Sequence, residues 1–91
     1  MQNIEQLLDK KAEEYTRGDY QDRARMTQAL KTVLIDEAVE PYEALDPVVR
    51  ESLEMIMHKI SRIVNGDPYE PDHWYDIAGY ASLVPRQMEK R

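Results

Sequence analysis

The stretch from Asp46 to Gly66 constrains this chain more than any other, because it carries its own start and stop signals. Asp46 suits an N-cap, Pro47 follows at the first helical position, where a missing N–H does no harm, and Asn65-Gly66 permits the backbone reversal that ends a helix. Between these limits Val49, Leu53, Ile56, Met57, Ile60, Ile63 and Val64 gather on one side at about 100° per residue. A helix is predicted between them, with that side in the core.

Three further segments share the helical period. The first runs from about Asn3 to Thr16 on Ile4, Leu7, Leu8, Ala12 and Tyr15, with Asn3 suited to cap it and Gly18 to stop it. Its narrow apolar face predicts a peripheral helix. The second runs from about Tyr20 to Val39, capped by Asp19 and ended by Pro41, with Met26, Leu30, Val33, Leu34 and Ala38 as its stripe. The connection from Glu40 to Leu45 is short enough to make the next helix an antiparallel neighbour. After the turn-rich Asn65 to Pro71 link, a last helix starts near Asp72 as N-cap, with Trp74, Ile77, Ala78, Ala81 and Val84 on its buried face. Gly79 inside it suggests a close neighbour, and Pro85 is expected to kink or end it. The reading is an all-α, four-helix single domain over 1–91, with its core in 19–84, a peripheral helix in 1–18 and a tail from 85.

Composition narrows the function classes. With 42% hydrophobic and 33% charged residues among 91, the chain is globular, yet short enough that a homo-oligomer is expected. It has no Cys, so disulfides and thiolate metal sites are ruled out and a reducing compartment fits. No basic n-region opens it and no apolar run reaches the length of a membrane span, so a cytoplasmic rather than a secreted or membrane protein is expected. A net charge of −6 argues against binding duplex nucleic acid.

The last two long helices carry a second face. Val48 and Met55 lie away from the apolar stripe and share their side with Lys59 and Arg62, while Asp76, Tyr80 and Leu83 lie roughly 90 to 160° from the apolar centre of the last helix. Such faces are either ordinary surface, with Asp76 in a salt bridge to Lys59 or Arg62, or the walls of a cleft or oligomer contact. In a cleft, Lys59 as a point charge and Arg62 as a planar fork suit phosphate, with Asp76 and Tyr80 as orienting groups.

Other patterns are weaker. Glu51-x-x-Glu54 and Asp72-x-x-x-Asp76 each place two carboxylates on one helix side, where they can hold Mg²⁺ with a nucleotide phosphate, although Asp72 is better explained as a cap. The two imidazoles, His58 and His73, need extra carboxylates to make a metal site. Trp74 and Tyr75 can stack a base, but Trp74 shares the phase of Ile77 and Ala81 and is expected in the core. No H-E-x-x-H, glycine-rich phosphate loop or G-x-S-x-G occurs.

The stretch Met57-His58-Lys59-Ile60-Ser61-Arg62-Ile63, then Trp74-Tyr75-Asp76-Ile77-Ala78-Gly79-Tyr80-Ala81, resembles a family of small phage and prophage proteins with a K-x-x-R, short loop, W-x-D-I-A-G-Y-A pattern. Gly18-Asp19-Tyr20 is similar to the G-D-Y before that family's long helix, so the likeness covers about Arg17 to Val84, with Gln21 where the family usually has Gly. That family looks distantly like the MazG-type all-α nucleotide pyrophosphohydrolases, which bind Mg²⁺ through E-x-x-E and a later E-x-x-D. Glu51-x-x-Glu54 is similar to the first pair and Asp76 to the last Asp, while His73 stands where the pattern has Glu. The resemblance implies a MazG-like helical fold, an oligomer and binding of a nucleotide or nucleotide signal in the bacterial host's cytoplasm. If hydrolysis persists, it implies Mg²⁺ on Glu51, Glu54 and Asp76. The alternative is an acidic helical interaction module that inhibits a host or anti-phage defence protein.

Overall fold

The computed structural model describes residues 3–16 and 19–89, and among these every regular element is helical. The order is α1 (Ile4–Thr16), α2 (Asp19–Glu37), α3 (Val39–Glu43), α4 (Pro47–Val64) and α5 (Pro71–Glu89). Five helices replace the expected four. The extra one, α3, lies where a plain connection was expected and contains Pro41, the residue expected to stop the second helix. Pro41 is its third residue, inside the first turn, where no intrahelical acceptor is waiting for its N–H. The actual break falls at Ala38, at φ −143° and ψ 51°.

Local chemistry sets most helix ends. Before α1, the Gln6 N–H donates to Asn3 Oδ1 (2.8 Å) and the Asn3 N–H to Gln6 Oε1 (3.0 Å), a reciprocal capping box. Gly18, its expected stop, lies outside the described residues. Ahead of α4, Asp46 Oδ1 accepts from the Val48 N–H at 2.9 Å with Pro47 at the first position. After it, Asn65 Nδ2 donates to the Ser61 carbonyl, and a Cβ at Gly66 would lie 2.8 Å from the Arg62 carbonyl, so this turn requires glycine. α5 opens on Pro71 with Asp72 in its first turn rather than at the cap; Glu70 Oε1 reaches the Asp72 N–H instead, at 3.4 Å. α5 also continues past Pro85 to Glu89. The helical bond that proline abolishes belongs to the Ala81 carbonyl, and both residues are exposed, so water can replace the partner.

The helices form one open layer. α2 and α5 both run antiparallel to α4, one on each flank: Thr27 meets Ser61 and Lys31 meets Glu54 on one side, and Lys59 meets Asp76 on the other. α3 packs on α2 and reaches α4 through Tyr42, and α1 packs mainly on α2. Tyr42 fixes α3 in place: its buried ring lies under the Arg50 guanidinium at 5.1 Å, and its hydroxyl donates to Glu54.

This arrangement corrects the expected core. Among the described residues the buried hydrophobics are Tyr42 and Met57, with Thr27, Ser52 and Ser61 as buried polar residues. Leu53, Ile60 and Val64, expected in the core, are exposed, as is Trp74 at 54 %. The cause is geometric: α2 and α5 pack on the flanks of the apolar stripe of α4 rather than over it. Met57 lies at the α2 edge of that stripe and is covered. Gly79 is a second correction, since a Cβ there would meet nothing within 4 Å.

Candidate functional site

The second faces of α4 and α5 do meet. Lys59 Nζ lies 2.8 Å from Asp76 Oδ2, with the lysine side chain 15 % exposed and the aspartate 47 %. Both come from helical positions that leave the apolar stripe free to face elsewhere, and the antiparallel run of α5 brings Asp76 level with Lys59. One turn further along α4 is Arg62, whose Nε is buried without a hydrogen-bond partner among the described residues. His73, one turn before Asp76, has its Nδ1 in the same condition. The antiparallel register that pairs 59 with 76 places 62 level with 73, so two buried nitrogens without hydrogen-bond partners among the described residues lie one turn from the ion pair, on its loop side.

Tyr80, one turn beyond Asp76, faces a different space. It lines a cleft of about 370 Å³ with Pro47, Val48, Glu51, Ser52 and Leu83, whose walls are largely apolar. Lys59 and Arg62 are not among these lining residues. The sequence-predicted group is therefore divided: Lys59, Asp76 and Arg62 gather near the loop end of the α4–α5 seam, while Tyr80 opens toward Glu51 at the other end.

The candidate metal ligands separate further. Glu54 points toward α2, where its Oε2 accepts from the Tyr42 hydroxyl at 2.6 Å and its Oε1 is 3.1 Å from Lys31 Nζ. The Tyr42 hydrogen bond, helped by Lys31, holds the Glu54 carboxyl below its ordinary range, and the same bond raises the Tyr42 phenol. Asp76 is committed to Lys59 on the opposite flank. Among the described residues no three His, Cys, Asp or Glu side chains gather closely enough to hold a metal ion. Among the described residues, one chain therefore does not bring Glu51, Glu54 and Asp76 together as a single set of metal ligands.

Sequence reasoning missed the polar cleft between α2 and α4. Thr27, Gln28, Lys31, Glu51, Glu54, Met55 and His58 line it, enclosing about 260 Å³. Its lining includes the Lys31–Glu54 ion pair, whose carboxylate also accepts from Tyr42 outside the cleft lining. Burial, together with the cations Arg62, Lys59 and Arg23, lowers the His58 pKa, so the imidazole prefers the neutral form. The available signal was the four-residue step from Thr27 to Lys31, which marks a polar face on α2 that only a polar partner could cover.

No family profile, curated protein or solved structure matches this chain.

Proposed function

We propose that this chain binds a phosphorylated nucleotide, or a nucleotide-like signal, at the α4–α5 seam, in the phage-type accessory role that the sequence resemblance implies. The observation that carries the proposal is the meeting of Lys59 and Asp76 one helical turn from the guanidinium-bearing Arg62. Lysine has three N–H donors, and Asp76 Oδ2 accepts one of them, leaving the ammonium able to bond a phosphate oxygen at the same time. Two cations and one carboxylate leave the corner with a net positive charge on a chain whose total is −6. Arg62 supplies planar, forked donors of the kind that match phosphate. Asp76 keeps Lys59 in place, and Tyr80, which faces the separate cleft at the other end of the seam, takes no part in this contact. Catalysis forms no part of the proposal, because Glu54 and Asp76 are committed to different cations.

The test is mass spectrometry of small molecules released from the purified protein, with calorimetric titration of nucleoside triphosphates into the emptied chain. Wild type should bind, and Lys59→Ala should weaken binding by at least tenfold, equivalent to about 1.4 kcal/mol. No released nucleotide and no titration heat would refute the proposal. The second reading, an interaction module against a host or defence protein, is favoured by α1, whose Ile4, Leu7 and Leu8 stay exposed. A stoichiometric protein partner recovered from bacterial lysate, with no nucleotide accompanying it, would support that reading instead.

A further inference from the structure

We infer that a second copy of this chain covers the apolar face of the α2–α4–α5 layer. The inference is independent of nucleotide binding. The two flanking helices fix the directions around α4: Ser61 and Glu54 mark the side of α2, and Lys59 marks the side of α5. Projected at about 100° per residue, Glu51 and His58 lie between those directions on one surface of the layer, and Leu53, Ile60 and Val64 lie between them on the other. The first surface carries the charged and polar side chains of Glu51 and His58 beside the largely apolar cleft under Tyr80. The second continues onto α5 through Trp74 and Ala81 and onto α2 through Leu30 and Val33. Leu53, Ile60, Val33, Val64 and Trp74 are 37, 38, 59, 62 and 54 % exposed there.

The size of the uncovered surface identifies the occupant. The chain exposes 7125 Å², whereas a compact monomer of its mass exposes roughly 5,500 Å², a surplus of roughly 1,600 Å². Its radius of gyration is 15.9 Å, against about 12 Å for a compact domain of this length. Part of the surplus belongs to α1, whose own apolar side is open. A twofold pairing of two such faces would bury up to roughly 3,200 Å² in total, within the range of obligate homodimers and above that of most transient complexes. The internal core of one chain consists of little more than Tyr42 and Met57 among the described residues, so the cover is needed for folding itself. A cover needed wherever the chain is made must always be available with it, and another copy meets that condition. Face-to-face pairing of the same surface is also the isologous contact that closes as a dimer without leaving an apolar face open.

Sedimentation equilibrium of the full chain at micromolar concentration tests this, together with Ile60→Asp and Val33→Lys. Wild type should sediment at twice its 10.7 kDa mass. Each substitution places a charge at a position open to solvent in the single chain, and should reduce the mass by half or shift dissociation to at least tenfold higher concentration. Wild type at the mass of one chain overturns the inference and leaves the face to a partner of another sequence. A dimer unaffected by both substitutions overturns it too, because the contact then lies elsewhere. Trp74, the single tryptophan, gives a reading that needs no variant. Covered by a partner, it should be quenched by acrylamide several-fold less than in the guanidinium-unfolded chain. Equal quenching in the two states overturns the inference.

Discussion

Replacing Ser61 with alanine should destabilise this protein more than replacing its hydrogen-bond partner. Ser61 is fully buried and Thr27 is 7 % exposed, and their hydroxyl oxygens lie 2.7 Å apart between α4 and α2. Ser61 Oγ is also 2.8 Å from the His58 carbonyl. A carbonyl only accepts and a serine has one hydroxyl proton, so Ser61 donates to His58 and Thr27 donates to Ser61. Ser61→Ala therefore leaves the buried Thr27 proton without its acceptor, at about 1–3 kcal/mol. Thr27→Val removes a donor but leaves Ser61 bonded to His58, so it should cost about 1 kcal/mol or less. The double variant leaves no stranded hydroxyl and should cost less than the two single changes together by about 1 kcal/mol. For a domain of this size each kcal/mol is about 4–8 °C in Tm, so Ser61→Ala should melt about 4–24 °C lower. Far-UV circular dichroism melts and urea titrations would measure all four proteins at one fixed protein concentration, since a dimer's Tm depends on it. Additive costs, or a Thr27→Val penalty larger than that of Ser61→Ala, would refute this donor assignment.

Gly79→Ala should stabilise the chain by about 0.5–1 kcal/mol, because helix propensity rises and the new methyl group meets no neighbour; a lower urea midpoint would show that something occupies that side. Stability should fall on acidification for two reasons of the same sign. The Glu54 carboxyl has a folded pKa below its unfolded value, so its contribution is complete above the unfolded carboxylate range and is lost as pH falls through the folded pKa. His58 is likewise depressed, so its contribution is present above its unfolded pKa and declines as pH falls below it. Glu54→Gln should flatten the acidic limb of a stability–pH profile and His58→Gln the limb nearer neutrality; a profile unchanged by either substitution would contradict the assigned contacts. Asp76→Ala should cost more stability than Lys59→Ala, since it leaves an ammonium that is 15 % exposed unpaired, whereas the 47 % exposed Asp76 can turn to water; chemical denaturation of both variants would rank them.

Much of the helical layout was legible in the residues alone. Asp46, Pro47, Asn65 and Gly66 placed α4, and Asn3 placed the start of α1, because capping acts within a turn of the residue that provides it. Trp74 was misjudged for the opposite reason. Its phase with Ile77 and Ala81 is helical and apolar, but phase does not say from which direction a neighbour comes. Lys59 and Asp76 were identifiable as a candidate pair because each lay off its own apolar stripe. The bonds from Tyr42 and Lys31 to Glu54 were not, since they depend on how α2 packs on α4 and how α3 reaches it.

The residues by themselves determined that this chain is helical, where most of its helices begin and end, and which sides of them are apolar. Those properties follow from hydrogen bonds and side-chain spacing within a few positions of one another. Tertiary structure decided which apolar side is covered, which carboxylate meets which cation, and that one broad apolar face stays open in a single chain. Those outcomes depend on the angles at which separate helices approach, and the angles are set by packing over the whole layer rather than by any local stretch.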